Sequence, residues 1–408
     1  MANCRFCNSK LEFEFINLGM QPIANSIIPK EEIIAEEVYY PLQVFVCSKC
    51  FLVQSSYDIP PDHIYEEYPY FSSYSESWLQ HAKTYSQMIR EKLNLTKNSF
   101  VIEIASNDGY LLKNFKDFQI PYIGIEPSKN IANYASANGI NTLCDFFTYD
   151  LSKEISRKYG KADLIIGNNV FAHVPNVKDF VSGIKNLLAP TGVLTLEFPY
   201  LKNLIEQNQF DTIYHEHFFY YSLLSASNIL ESQGLKIFDI EELITHGGSL
   251  RLYVSHIEND GCKISEKLKK IFQNELKLKY NNVEFYLNFK KKVYKTKFKI
   301  LNLLIDIKSQ NKSIVAYGAP AKGNTLLNFC GISVDFIDFT VDKNPQKQNT
   351  LLPGSHIPVL NPEAIYQRKP DYILILPWNI KNEIMGQLSE IRSWNGKFII
   401  PIPEIEIL

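Results

Sequence analysis

Cys4 and Cys7 in CRFC, and Cys47 and Cys50 in CSKC, place the hardest constraint on what this chain can fold into. Two cysteines separated by two residues sit on a tight turn that points both sulfurs at one point. Two such turns supply a tetrahedral set of four thiolates, which suits zinc. Short alternating stretches such as YYPLQVFVCSKC lie around them, so the metal is expected to hold a small strand-and-turn domain together. A closed four-thiolate site keeps no open coordination position and therefore does no catalysis. The chain has 7 cysteines, an odd number, which favours metal-bound thiolates in a reducing compartment over a disulfide framework. A cytoplasmic protein is expected.

At 408 residues the chain is long enough for two or three domains. A formal net charge of −2 gives no field to hold nucleic acid. The N-terminal MANCRFCNSK has cysteines and charge where a signal peptide has an apolar region. No window approaches the ~18 uninterrupted apolar residues of a membrane span. The lysines from Lys263 to Lys299 are interleaved with Glu, Asn and aromatics, as on a solvated helix face.

After the cysteines, EEYPYFSSYSESWLQHAKTYSQMIREKL reads as an aromatic, serine-rich loop running into a helix. From Phe100 apolar strands alternate with helical stretches. SFVIEIASNDGYLLKNF is strand, turn, helix, YIGIEPSKNIANYASANG repeats the plan, and ADLIIGNNVFAHV and GVLTLEFPY are further buried strands. That alternation predicts a parallel sheet with helices on both faces. Ile264 to Ser309 reads as one or two connecting helices. Then SIVAYGAPAKGNTLLNFC and PDYILILPW begin a second, smaller doubly wound unit. The expected fold is α/β: a zinc-binding domain over 1–65, a Rossmann-like domain over 66–260, a helical connection over 261–308 and a second Rossmann-like domain over 309–408.

The first strand–turn–helix unit carries a cofactor signature. Strand VIEI ends at Glu103 and turns through Ser106, Asn107 and Gly109 into a helix whose N-terminal amides face a ligand. One glycine among polar residues makes a poor pyrophosphate cradle. Twenty-three residues after Glu103, Glu126 ends the strand YIGIE, placed to accept both ribose hydroxyls. Asp145 offers an acid to an adenine amino group and Phe146 a ring to stack on it, and Asn168 follows at the end of a third strand. A ribose acid and an adenine slot without a phosphate loop point to S-adenosylmethionine (SAM) rather than NAD.

DTIYHEHFFYYS, Asp211 to Ser222, gathers Tyr214, His215, Glu216 and His217. His-x-His on a strand can bind zinc, but no third ligand is evident and the helical zinc spacing is absent. In order, CRFC…CSKC, EIASNDGYLL, NNVFAHVPN, YHEHFFYYS, HGGSLR and GAPAKGN resemble the SAM-dependent deoxysugar C-methyltransferases, across almost the whole chain. Ala105 departs from the glycine often found there. The resemblance implies structural zinc, SAM in the central domain, no second cofactor in the C-terminal domain, and a nucleotide-linked (TDP or GDP) 4-keto-6-deoxyhexose as substrate, methylated beside the ketone at C-3 as the first choice and C-5 as the alternative. It places the general base at His217 with Tyr214 beside it, a second active-site imidazole at His173, and Tyr68, Tyr70 and Tyr74 on a loop over the sugar.

Carbon methylation next to a ketone needs a base near the acidic C–H, donors for the enolate oxygen, and the sulfonium methyl in line. Glu216 is placed to orient an imidazole, whereas His215 projects to the opposite side of an extended segment and is read as structural. Gly248 stands where backbone approaches a ligand and Arg251 where a phosphate is met; the alternative is a tight turn with a surface arginine. Lys322 opens the helix after GAP, either on the diphosphate or in a turn without a ligand. A monomer is the default. Competing readings are O- or N-methylation of another small acceptor, and a non-catalytic zinc-containing scaffold.

Overall fold

The strand Val101–Ile104 is buried at all four positions, as parallel strands covered on both faces are. It sits inside a seven-stranded sheet with the spatial order Leu235–Leu243, Ser249–His256, Leu188–Pro199, Ala162–Asn168, Val101–Ile104, Tyr122–Ile125, Thr142–Leu143. The last five run parallel, and Ser249–His256 runs antiparallel to both its neighbours. Strand order reverses at Val101–Ile104, so the crevice beyond its carboxyl end is where a ligand is accommodated. The structure, a computed structural model, describes residues 2–30, 36–57, 59 and 71–408.

The helix Glu76–Lys92 packs on this sheet. Ser75 caps it by accepting from the Trp78 amide, Glu76 lies in its first turn, and Arg90 and Lys92 lie in its last. Its buried residues Trp78, Ala82, Tyr85 and Ile89 recur at helical spacing and face the sheet, where the Tyr85 hydroxyl meets Thr195 Oγ1 at 2.6 Å. Among the described residues, no helix is long and apolar enough to cross a membrane.

The C-terminal sheet has parallel strands Lys397–Ile400, Tyr372–Ile375, Ile314–Tyr317, Thr340–Val341 and Pro358–Leu360. Its far edge continues through Thr350–Leu351 to Ile28–Pro29, a strand lent by the N-terminal region. The connection between the two α/β units is three helices, Glu266–Lys277, Val283–Leu287 and Phe289–Ser309. The expected one or two are broken where Lys279 adopts φ +67° and Asn282 caps a new start. Phe289 stacks on Phe15 at 4.6 Å, so the N-terminal sheet shares its core with the C-terminal domain.

The N-terminal sheet is antiparallel, Phe13–Pro22, Tyr39–Val46, Val53–Ser55 and then Phe219–Tyr220, which comes from the far end of the Tyr-His-Glu-His segment. The four cysteines converge beside it, every Sγ within 4.8 Å of the others. Cys4 and Cys50 stand 3.6 Å apart, and Cys7 and Cys47 3.4 Å. Sulfurs on one zinc at ~2.3 Å bonds are about 3.8 Å apart, and a disulfide needs ~2.05 Å, so the set fits zinc and excludes the bridge. Amides of Cys7 and Lys49 point at the sulfurs of Cys4 and Cys47, and Gln54 Nε2 donates to Cys4 Sγ at 3.1 Å, as thiolate ligands require. Gln54 is also the residue whose backbone pairs with Phe219. Gln54 thus links the zinc site to Phe219, two residues beyond the Tyr-His-Glu-His segment.

Metal analysis is expected to find about one zinc per chain, lost in Cys50→Ser. Because Gln54 bridges the site to Phe219, metal loss is also expected to raise amide hydrogen exchange at Phe218–Tyr220 before the central sheet opens.

Candidate active site

A cleft of about 940 Å³ opens at the carboxyl ends of the parallel central strands and is closed by the C-terminal domain. Small-molecule sites run from about 300 to 1,000 Å³, so this one has room for a cofactor and a second ligand.

Its cofactor half is built on the turn after Val101–Ile104. Ala105 and Asn107 hold φ of +57° and +49°, and Gly109 holds +78°. At Gly109 a Cβ would come within 2.7 Å of the Ile140 side chain, so glycine is required there. Ala105 tolerates the left-handed conformation at a cost of about 1 kcal/mol. Glu126, buried at the tip of the next strand, accepts from the Asn107 amide (3.0 Å) and the Ser128 amide (2.9 Å). Burial raises its carboxyl against those two bonds. Asn107 and Asp108 in turn accept from the amides of Ser72 and Ser73, which pins the loop bearing Tyr74 over the turn. Asp145 and Phe146 lie across the cleft, and Asn168 Oδ1 is buried there with no protein partner. An acid at the strand tip, an exposed ring and an unsatisfied amide oxygen are groups SAM would engage.

The other half converges on His217. Its Nδ1 lies 2.9 Å from the Thr212 carbonyl. A carbonyl only accepts, so Nδ1 carries the proton and Nε2 keeps its lone pair. Tyr214 packs 4.1 Å from the ring centroid, and His173, in the 3-10 turn after Ala162–Asn168, meets it edge-on at 4.7 Å. Burial holds His217 well below the usual imidazole range, with the neighbouring His173 adding to the effect, and holds His173 at about 4. His246 completes the wall at φ +53°, its Nε2 3.2 Å from Asn169 Nδ2 and its pKa also pulled by burial to about 4. Lys322 reaches the cleft from the C-terminal domain, with Nζ 2.5 Å from Asn379 Oδ1 and 4.7 Å from the Trp378 ring centroid. The site therefore offers neutral imidazoles and a phenol, with Lys322, Lys343 and Lys347 on its C-terminal side.

Comparison with known proteins follows the same division. Residues 244–403 match the family model described as a C-methyltransferase C-terminal domain, residues 78–240 a methyltransferase domain, and residues 4–65 a zinc binding domain. The C-methyltransferase NovU of Streptomyces niveus is 33% identical over 99% of this chain and 96% of its own length. Solved structures share less. The magnesium protoporphyrin IX methyltransferase ChlM of Synechocystis PCC 6803 with bound SAM is 15% identical over 44% of this chain and 79% of its own, at a TM-score of 0.34. An S-adenosylmethionine-dependent methyltransferase from Clostridium acetobutylicum is 13% identical over 44% and 92%, at 0.35.

Not every residue singled out in the sequence reaches the cleft. Glu103, Ser106 and Gly109 shape the turn from beneath, with Glu103 pushed well above the usual carboxyl range by burial. Tyr68 and Tyr70 lie outside the described residues. His215 turns away from the cleft and packs against Tyr40. Glu216, expected to orient an imidazole, accepts instead from Asn25 Nδ2 at 2.6 Å, and the orienting partner of His217 is a backbone carbonyl. Gly248 is required by close packing against the Asn203 side chain rather than by a ligand. Arg251, expected to meet a phosphate, is buried and meets Glu197 Oε2 at 2.6 Å and Glu241 Oε2 at 2.8 Å. His246, Trp78 and Thr212 belong to the cleft but were not anticipated; a histidine beside two glycines was the one available signal.

Burial alone would raise the Glu197 carboxyl, but the His81 hydrogen bond and the Arg251 charge hold it at about 2. A depressed carboxyl stabilises the fold above its unfolded pKa near 4.5, and that contribution is lost as pH falls toward about 2. Arg251→Ala is expected to destabilise the protein by about 3–5 kcal/mol in urea unfolding, by stranding Glu197, instead of selectively raising the KM of a phosphate-bearing substrate.

Proposed function

The chain belongs to the SAM-dependent C-methyltransferase family, and from that premise we propose that its acceptor is a nucleotide-linked 4-keto-6-deoxyhexose methylated at C-3. The observation that carries this reading is the His217 tautomer: a neutral imidazole with Nδ1–H spent on a carbonyl and Nε2 unprotonated, beside His173 and Tyr214. O- or N-methylation removes its proton from a heteroatom, whereas a carbon acid needs a base and an enolate stabiliser held together.

Each residue then has a step. Glu126, Asn107, Asp145, Phe146 and Asn168 hold the cofactor at the strand ends. When bound, SAM supplies an electrophilic methyl group and departs as the neutral thioether. His217 Nε2 takes the proton from the carbon next to the ketone, and the C–H electron pair moves into the carbonyl. His173 and the Tyr214 hydroxyl donate to the oxygen that gains charge, and SAM held at the strand ends would supply the methyl group to the carbon. Lys322 and the amides opening the helix Ala321–Cys330 meet the diphosphate, with TDP or GDP beyond it. The low basicity of a buried imidazole is offset by preorganised donors in the same site, where a developing charge is stabilised more strongly than in water.

With methyl-13C SAM and a TDP- or GDP-4-keto-6-deoxyhexose, the product is expected to carry label on carbon, read by 13C NMR. Label on oxygen or nitrogen would sink the reading. His217→Ala is expected to lower kcat by about 10²–10⁴-fold. Because His217 is already deprotonated in its resting state, the acid limb of kcat/KM belongs below pH 6.5, with a plateau above.

A further inference from the structure

Asp211 is fully buried, and its Oδ2 accepts a hydrogen bond from Trp378 Nε1 at 2.6 Å across the junction of the central and C-terminal domains. Trp378 begins the 3-10 turn Trp378–Ile380, just after the strand Tyr372–Ile375. Lys322 Nζ lies over its ring, and on another side the ring packs so closely on Gly247 that a Cβ there would come within 2.6 Å. Asp211 is the middle residue of the turn Phe210–Thr212, whose final carbonyl receives His217 Nδ1. Gln209, just before the turn, donates from Nε2 to the Gly247 carbonyl at 2.7 Å, next to His246. The loops bearing both imidazoles therefore rest on one indole.

Neither Asp211 nor Trp378 lines the cleft, so neither touches the acceptor. We propose that the Trp378–Asp211 hydrogen bond is a positioning device that fixes the Phe210–Thr212 turn, so that Thr212 holds His217 in its Nδ1–H form only when the C-terminal domain is docked. The proposal rests on reading His217 as the base. The arrangement ties proton abstraction to a domain that supplies no part of that proton transfer. Asp211 Oδ1 has no hydrogen-bond partner, and across the domain junction the indole N–H is the group that donates to the carboxyl. Burial lifts that carboxyl to about 6, against Lys322, the indole N–H and the amides of Asp211 and Thr212.

The test compares Trp378→Phe, Asp211→Ala and Asp211→Asn in the full chain. Phe keeps most of the ring but not the N–H, and Asn keeps an oxygen to accept it. Three readouts separate positioning from folding: kcat against KM, SAM affinity by calorimetry, and the 15N spectrum of His217, which reports its tautomer without any substrate. Trp378→Phe and Asp211→Ala are expected to lose at least tenfold in kcat, since misplacement by ~1 Å costs about 10²-fold. SAM affinity should stay within twofold, and the Nδ1–H signature of His217 should give way to a mixture. Asp211→Asn should recover most of what Asp211→Ala loses. Unchanged kcat and an unchanged His217 spectrum would overturn the proposal, as would a loss of SAM binding in step with kcat. If Trp378→Phe does not fold, the contrast between Asp211→Ala and Asp211→Asn carries the same test. His217→Ala, run alongside, keeps the two ideas apart: retained methylation there would refute the base reading, while the 15N spectra would still decide the positioning.

Discussion

The hydrogen bond from His217 Nδ1 to the Thr212 carbonyl decides which nitrogen can receive a proton, and the surrounding structure is arranged to keep it. An imidazole without such a partner divides its time between two tautomers, and only one of them is a base toward the cleft. Three regions hold the segment that makes the bond. The zinc-bound sheet pairs Gln54 with Phe219. The central domain takes the Phe218 amide on the Ala172 carbonyl, beside His173. The C-terminal domain anchors Asp211. The four-cysteine site is thus linked through Gln54 to the strand that follows His217.

Two buried clusters with opposite electrostatics lie side by side. Around Glu197 the charges are paired: Arg251 and His81 meet one oxygen, and the Thr245 hydroxyl meets the other at 2.9 Å. Such a network is costly to desolvate but rigid once complete, and it carries the strand end that leads to His246. Around His217 the imidazoles are neutral, because burial outweighs the Thr212 carbonyl at His217 and the Glu197 charge near His246. The first cluster is ion-paired and the second is held neutral by burial.

What was legible in the sequence was what local spacing encodes. Cys-x-x-Cys turns specify where sulfurs point, and the alternation of apolar strands with helices specifies a parallel sheet, so the three-part α/β organisation could be anticipated. The position of Glu126 in the cleft was legible because a strand tip is a definite place in such a sheet. Arg251 was misread as a phosphate ligand because the glycine turn before it drew attention outward. The run SLRLYV around it is buried throughout, and a lone arginine in an apolar run signals an internal ion pair. Gln54, Thr212 and Trp378 were illegible for a different reason. Their roles depend on partners more than a hundred residues away, or on a backbone carbonyl that leaves no mark on residue type.

Proton abstraction from carbon by His217 is tested most directly without methyl transfer. The protein, in D2O with a TDP- or GDP-4-keto-6-deoxyhexose and no SAM, should exchange the hydrogen on the carbon beside the ketone, as read by 1H NMR. The account predicts exchange by the wild type that disappears in His217→Ala while Tyr214→Phe retains part of it. Exchange at the wild-type rate in His217→Ala would contradict it.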